Sequence, residues 1–190
     1  MTDRDRELIA RVAKGDREAF SELMASTEDM VFAVCMRIMG DREAARDAAQ
    51  ETFVTLFRKA DRYSGNAAVT TWLYRVTVNT CYDQLRKAKR RAFDSLPDHI
   101  DPADRQAEDP FTSVDLHGPV AEALAQLPEE FRAAVILSDI EGLALAEVAE
   151  ILEVPVGTVK SRVFRGRKLL AQQLGNLMEG SGRPNGDHDA

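Results

Sequence analysis

Two clusters of cationic side chains interrupt an otherwise acidic chain, and both have the composition of phosphate-binding surfaces. Between Trp72 and Arg91, six basic residues (Arg75, Arg86, Lys87, Lys89, Arg90 and Arg91) stand against Asp83 alone, a local charge of +5. Between Glu153 and Leu170, five (Lys160, Arg162, Arg165, Arg167 and Lys168) stand against Glu153, a local charge of +4. The 190 residues together carry 25 basic and 32 acidic side chains, net −7. Anions respond to local potential rather than to the molecular sum, so overall acidity does not exclude a nucleic acid as partner. The acid is concentrated between the clusters, where residues 92–118 hold seven acidic side chains and Arg105, a local charge of −6.

The first cluster is preceded by Tyr63-Ser64-Gly65-Asn66-Ala67-Ala68-Val69-Thr70-Thr71-Trp72-Leu73-Tyr74-Arg75, a loop of small residues running into a helix. Aromatic, amide and basic side chains interleaved in this way suit unpaired bases, which stack on rings while cations hold the phosphates. Ser64, Gly65, Asn66 and Thr71 could enclose a base turned out of the duplex. Asn79, Asp83, Arg86, Lys87 and Arg90 continue the surface along the helix. Trp72 fits a core anchor as well as a stacking platform, and Tyr74 and Tyr82 fit either role. A solvated helix end is the other reading of the run from Arg86 to Arg91.

The second cluster lies in residues 144–170, two short helical patterns joined by Glu153-Val154-Pro155-Val156-Gly157, the spacing of a helix-turn-helix. Ala146, Val148, Ala149 and Leu152 line the first pattern, and Val159, Val163 and Leu170 the second. Ala149 allows a close crossing, with Val154 and Val159 plugging the corner. Glu153 falls where such turns often hold glycine, and a left-handed conformation there costs about 1 kcal/mol. The second helix presents Thr158, Lys160, Ser161, Arg162, Arg165 and Arg167 away from the core. Gly157-Thr158 would leave backbone N–H groups for a phosphate, and Ser161 with Arg162 or Arg165 could reach base edges in a major groove.

Catalytic chemistry finds no support. The chain lacks a phosphate loop, a nucleophile elbow and any cluster with metal-ligand spacing. His99, His117 and His188 fall in polar stretches, so no catalytic residue, metal or cofactor is expected. Cys35 and Cys81 lack CxxC spacing and fall on inward helix positions, which reads as buried thiols. Apolar runs such as 133–137 are too short to cross a bilayer and the N-terminus has no secretory signal, so a cytoplasmic protein without membrane insertion is expected.

Helices account for nearly all of the pattern. Residues 3–14 place Leu8, Ile9 and Val12 on one side and stop at Gly15. Asp16 caps a second helix, with Phe20, Leu23, Met24, Val31, Val34, Cys35 and Ile38 at three-four spacing. Gly40 stops it, and Asp41 caps a third that runs to about Lys59 through Ala45, Ala48, Ala49, Thr52, Phe53, Leu56 and Phe57. A fourth begins near Thr70. Prolines at 97, 102 and 110 make the acidic stretch an extended linker. Gly118-Pro119 and Leu127-Pro128 each open a further helix. The expectation is an all-α chain: a helical bundle over 1–92, a linker over 93–118, a helix-turn-helix domain over 119–176 and a disordered tail over 177–190.

Several motifs in this order resemble the extracytoplasmic-function (ECF) sigma factors, the small two-domain group (group IV) of the sigma-70 superfamily. They are Gly15-Asp16-Arg17-Glu18-Ala19-Phe20, Asp47-Ala48-Ala49-Gln50-Glu51-Thr52-Phe53, and Thr71-Trp72-Leu73-Tyr74-Arg75 with Asn79. Further on come Leu127-Pro128-Glu129-Glu130-Phe131-Arg132, Glu141-Gly142-Leu143 and 154–165, which contains Gly157-Thr158-Val159-Lys160-Ser161-Arg162. The resemblance spans about residues 7–175.

The resemblance implies a sigma-2-like domain whose Asp47, Gln50, Glu51 and Phe53 dock on the clamp helices of core RNA polymerase. Phe53 fits the core equally well. It implies that Ser64, Gly65, Asn66, Thr71, Trp72, Tyr74, Arg75, Asn79, Asp83, Arg86, Lys87 and Arg90 read and melt the promoter −10 element. It implies a sigma-4-like domain that meets the flap tip and reads the −35 element through Thr158, Lys160, Ser161, Arg162, Phe164, Arg165 and Arg167. Ser138 stands where some members carry a basic side chain. The acidic linker would thread the polymerase as an RNA mimic, and an anti-sigma factor would hold the protein inactive. The competing readings are a dimeric repressor or activator, which has no use for the loop and basic helix of the first half, and an enzyme, which has no motif.

Overall fold

The computed structural model describes residues 3–94 and 118–180. Every regular element among them is helical, and the chain divides into two compact units, Met1–Leu116 and His117–Ala190. Residues 95–117 of the expected linker and 181–190 of the expected tail lie outside the described residues. Residues 93–94 and 177–180 belong to helices.

In the first unit, α1 (Asp3–Val12) turns its Leu8, Ile9 and Val12 inward and gives way to Gly15 at φ 87. Asp16 then caps α2 (Arg17–Met39), accepting from the N–H groups of Glu18 and Ala19 at 3.0 Å each. Arg11 donates its Nε to the same carboxylate at 2.9 Å, so one side chain ties two helices. The Ala19 N–H first, then Arg11, hold the Asp16 carboxyl below its ordinary range. Gly40 ends α2 in the left-handed region, where its N–H reaches the Met36 carbonyl. Asp41 caps α3 (Arg42–Lys59) by accepting the Ala44 N–H at 2.8 Å. A 3-10 turn (Ala60–Arg62) and a loop lead to α4 (Val69–Asp94).

Helix α2 packs on α1, α3 and α4, and α3 packs on α4. Leu23, Val31, Val34, Ile38, Leu56 and Leu73 are fully enclosed. Cys35 and Cys81 meet across this core as free thiols with Sγ atoms 3.7 Å apart. The Cys35 contact and then burial push the Cys81 thiol well up, which keeps it protonated.

In the second unit, Gly118 (φ 79) and Pro119 open α5 (Pro119–Gln126). Helix α6 (Glu129–Val135) passes into a single π turn (Ile136–Ile140), closed by the Glu141 N–H on the Ile136 carbonyl at 2.9 Å. Gly142 at φ 69 releases the chain into α7 (Leu145–Leu152). Glu153 follows at φ 54 and ψ 42, the one non-glycine at positive φ among the described residues, and α8 (Val156–Gly180) packs on α5, α6 and α7.

Two packing details depart from the sequence pattern. Ala146 is exposed, and Ile151, 2% exposed, is buried beside Val148 and Ala149. A close approach is made at Gly166 of α8, where a Cβ would lie 2.6 Å from Val135 Cγ2 and 3.4 Å from the Phe131 carbonyl. Glycine there lets α8 lie close on α6. Arg132 is also buried. Its Nη2 donates to the carbonyls of Ala125 and Leu127, satisfying the end of α5 as the chain turns into α6.

Two measurements check this packing. Leu73→Ala should lower the unfolding free energy by about 2–5 kcal/mol in urea, since it empties a fully enclosed site. Thiol reagents should modify Cys35 and Cys81 only as fast as the first unit opens; rapid modification of the folded protein would contradict the enclosure.

Candidate nucleic-acid interface

Helix α4 is enclosed along its first half. Between residues 69 and 81 only Asn79 is exposed, because α1, α2 and α3 cover the other faces. An amide at the surface of an otherwise buried stretch is held rigidly and offers both a donor and an acceptor. Beyond it the helix emerges, and Asp83, Arg86, Lys87, Lys89, Arg90 and Arg91 are all exposed. Asp83 accepts from Arg86 Nη2 at 2.6 Å, which orders one guanidinium on that face.

The loop before α4 exposes Ser64, Gly65 and Asn66, with Gly65 at φ 76 and open space around it. Trp72 is half-buried, its ring 5.7 Å from that of Tyr63, so it serves as packing with one edge at the surface. Thr71 and Tyr74 are 6% and 7% exposed, and Arg75 is half-buried. The expected row of aromatic platforms is therefore reduced. Tyr74 lies in the core, because α4 is covered on the side opposite Leu73 as well as on Leu73's own.

In the second unit, α8 has two distinct faces. Val159, Val163 and Gly166 are buried against the preceding helices. Gly157, Lys160, Ser161, Phe164, Arg165 and Lys168 are exposed, a stripe at three-four spacing, with Arg162 half-buried on its flank. Phe164 is 71% exposed, a large apolar ring in the middle of a basic face. The Thr158 N–H bonds the Pro155 carbonyl at 2.8 Å and is not available to a phosphate, contrary to the sequence expectation. The tight Pro155 turn absorbs it. Ser161 Oγ donates to the Thr158 carbonyl at 2.8 Å, leaving its lone pairs outward.

Arg167 has a partner that the sequence did not suggest. Its Nε and Nη2 donate to Asp139 Oδ2 and Oδ1 at 2.8 and 2.7 Å, while Ser138 Oγ donates to Oδ1 at 2.8 Å. The π turn brings Asp139 to face α8. Arg167 first, then burial against and Ser138 with it, leave the Asp139 carboxyl below its ordinary range.

Helix α3 carries a third surface. Asp47, Gln50 and Glu51 are exposed on one face, and Val54, 36% exposed, continues the same stripe. Phe53, 8% exposed, packs in the core. Phe57 remains at the surface beside Phe20, ring centroids 5.1 Å apart. Among the described residues no cluster of His, Cys, Asp or Glu could hold a metal ion, and no helix is long and apolar enough to cross a membrane.

Two family models match the chain, one in each unit. Residues 23–91 match the family model for Sigma-70 region 2, and residues 117–170 match that for Sigma-70, region 4. The ECF RNA polymerase sigma factor SigW of Bacillus subtilis is 33% identical over 89% of this chain and 96% of its own length. The ECF RNA polymerase sigma factor SigM of Mycobacterium tuberculosis is 39% identical over 93% of this chain and 87% of its own. Among solved structures, the sigma factor RpoE in complex with the anti-sigma factor NepR from Bartonella quintana has a TM-score of 0.68 at 27% identity. It covers 82% of this chain and 96% of that one.

The Asp139–Arg167 pair predicts a pH effect of definite sign. A carboxyl held low in the folded state contributes stability above its unfolded value of about 3.9, and the contribution is lost as pH falls below that. Melting temperatures of the wild type and Asp139→Asn should therefore differ at pH 6, and the difference should shrink as pH falls from the unfolded value through the lowered folded one. A constant difference would assign the effect to packing rather than charge.

Proposed function

The chain belongs to the ECF group of the sigma-70 family, and from that premise we propose that it joins core RNA polymerase and directs initiation at promoters through their −10 and −35 elements. The observation that supports this most directly is the exposure pattern of α4 and α8. They lie in the two matched regions: α4 carries its cationic residues on the end that emerges from an enclosed first half, and α8 carries them on the face opposite the one packed in a core.

At the −10 element the loop of Ser64, Gly65 and Asn66 receives a base of the non-template strand, and Asn79 supplies amide hydrogen bonds from the rigid half of α4. Arg86, Lys87 and Arg90 hold the phosphates, with Asp83 steering Arg86. Thr71, Tyr74 and Arg75 contribute by fixing the helix under the loop, and Trp72 by flooring it. Melting follows from capture: a base held outside the stack shifts the duplex equilibrium toward the open strand.

At the −35 element α8 enters the major groove of intact duplex. Lys160, Arg162 and Arg165 reach phosphates or guanine edges, Ser161 accepts from a base, Thr158 lies at the helix start, and the exposed Phe164 packs on a thymine methyl. Arg167, already paired with Asp139, contributes less charge than its neighbours.

Asp47, Gln50 and Glu51, extended by Val54, form a polar ridge with an apolar end that suits the clamp helices of the polymerase, and the second unit meets the flap tip. The acidic stretch 93–118 occupies a basic nucleic-acid channel of the enzyme. An anti-sigma factor holds the protein inactive in the cytoplasm, as the NepR complex of the Bartonella relative suggests by analogy.

The test is transcription with purified core RNA polymerase on genomic promoter fragments. Specific transcripts should appear only when the chain is added; a dimeric regulator would instead need a separate sigma factor. In the assembled holoenzyme, Arg162→Ala or Arg165→Ala should weaken promoter binding by about 1–3 kcal/mol. Arg165→Ala should reduce the dependence of log K on log salt by about one phosphate contact. Arg167→Ala should change that slope less, since Asp139 already neutralises it; equal slopes would remove Asp139 from the account.

A further inference from the structure

The loop ahead of α4 has little packing of its own at the tip. Ser64, Gly65 and Asn66 are exposed, and a Cβ on Gly65 would meet nothing within 4 Å. Its shape is set from its two ends. Tyr63 leaves the 3-10 turn in extended backbone, φ −69 and ψ 109, and its hydroxyl donates to the Ala67 carbonyl at 2.6 Å. This bond closes the loop across Ser64, Gly65 and Asn66. The next carbonyl, Ala68, accepts the Trp72 N–H at 3.1 Å, and the Trp72 ring leans on the Tyr63 ring with centroids 5.7 Å apart and planes at 58°. Tyr63 therefore holds the loop twice, by its hydroxyl to the far strand of the loop and by its ring to the first turn of α4.

We propose that Tyr63 is the positioning residue of the base-capturing loop: its O–H bond to Ala67 fixes residues 64–67 in one conformation, so that Ser64 and Asn66 meet an extruded base already ordered. Tyr63 does not touch the base. The inference deepens the reading of this loop as the −10 recognition element and rests on it. A loop ordered before binding loses no freedom when a base enters, so the tie acts on capture and on discrimination between bases. Without the hydroxyl, the Ala67 carbonyl turns to water and the loop samples other shapes.

Tyr63→Phe tests this, because it keeps the ring against Trp72 and removes only the donor. The variant is assembled with core polymerase, and open-complex formation is followed by permanganate reactivity on a promoter and on versions with single −10 or −35 substitutions. The expected result is a melting temperature changed by no more than a few degrees and unaltered assembly with core. Open-complex formation should be slower by about 2–10-fold, the worth of one hydrogen bond. The penalty for −10 substitutions should shrink by a similar factor, with that for −35 substitutions unchanged. Tyr63→Ala, which also removes the ring, should lose more on both counts.

A Tyr63→Phe holoenzyme with wild-type opening and wild-type −10 discrimination overturns the proposal, as does one that loses stability while discrimination stays intact. Failure of the wild-type holoenzyme to open any promoter would overturn the sigma-factor reading itself, a result separate from either.

Discussion

Enclosure of α4 by α1, α2 and α3 is the constraint from which the first unit follows. Burying a helix on nearly every side over three turns leaves it without freedom to roll or slide, since the packed neighbours on each face would have to move. Leu73, Thr77 and Cys81 fill one side of that seat, and Thr71, Tyr74 and Val78 the other. The consequence is placement. Asn79, the loop at 64–68 and the basic end beyond Asp83 all inherit a fixed axis from a core that contains none of them. The base capture proposed for this loop is served by such a frame, because a site ordered beforehand loses no freedom when a base enters.

The second unit uses a different device. Helix α8 is packed by Val159, Val163 and Gly166 on one face, and the opposite face is open from Gly157 to Lys168. An open helix face suits a groove in intact duplex, whereas a half-enclosed helix with a loop ahead of it suits a single strand. The two basic clusters are thus chemically alike and mechanically distinct. Within the second unit, Arg132 and the Asp139–Arg167 pair work as internal struts. One closes the turn from α5 to α6, and the other ties the π turn to α8.

Much of this was legible in the sequence where the cause is local. Asp16 and Asp41 cap the helices they precede, Gly40 and Gly142 end the ones they follow, and Glu153 takes the left-handed conformation its place in the turn demands. Each of these is decided by a handful of adjacent residues. The misses share another cause. Tyr74 fits core or surface by its place in the sequence, and only the neighbours packed around α4 decide for the core. Gly166 and Ile151 settle which faces of α6, α7 and α8 meet, a matter of crossing geometry rather than period. Asp139 and Arg167 are 28 residues apart, and their pairing depends on a π turn that no spacing rule announces. The Thr158 N–H, expected to be open, is taken by a carbonyl three residues back because the chain tightens at Pro155.

On the proposed function, two helices of similar charge do unlike work, one on unpaired strand and one on duplex. Permanganate footprinting of the holoenzyme on a mapped promoter, read beside DNase protection, examines this most directly. Two separated protected stretches are expected, with reactive unpaired thymines confined to the downstream one and abolished by Asn79→Ala combined with Asn66→Ala. One continuous protected block with no reactive thymine, or reactivity that survives both substitutions, would contradict it.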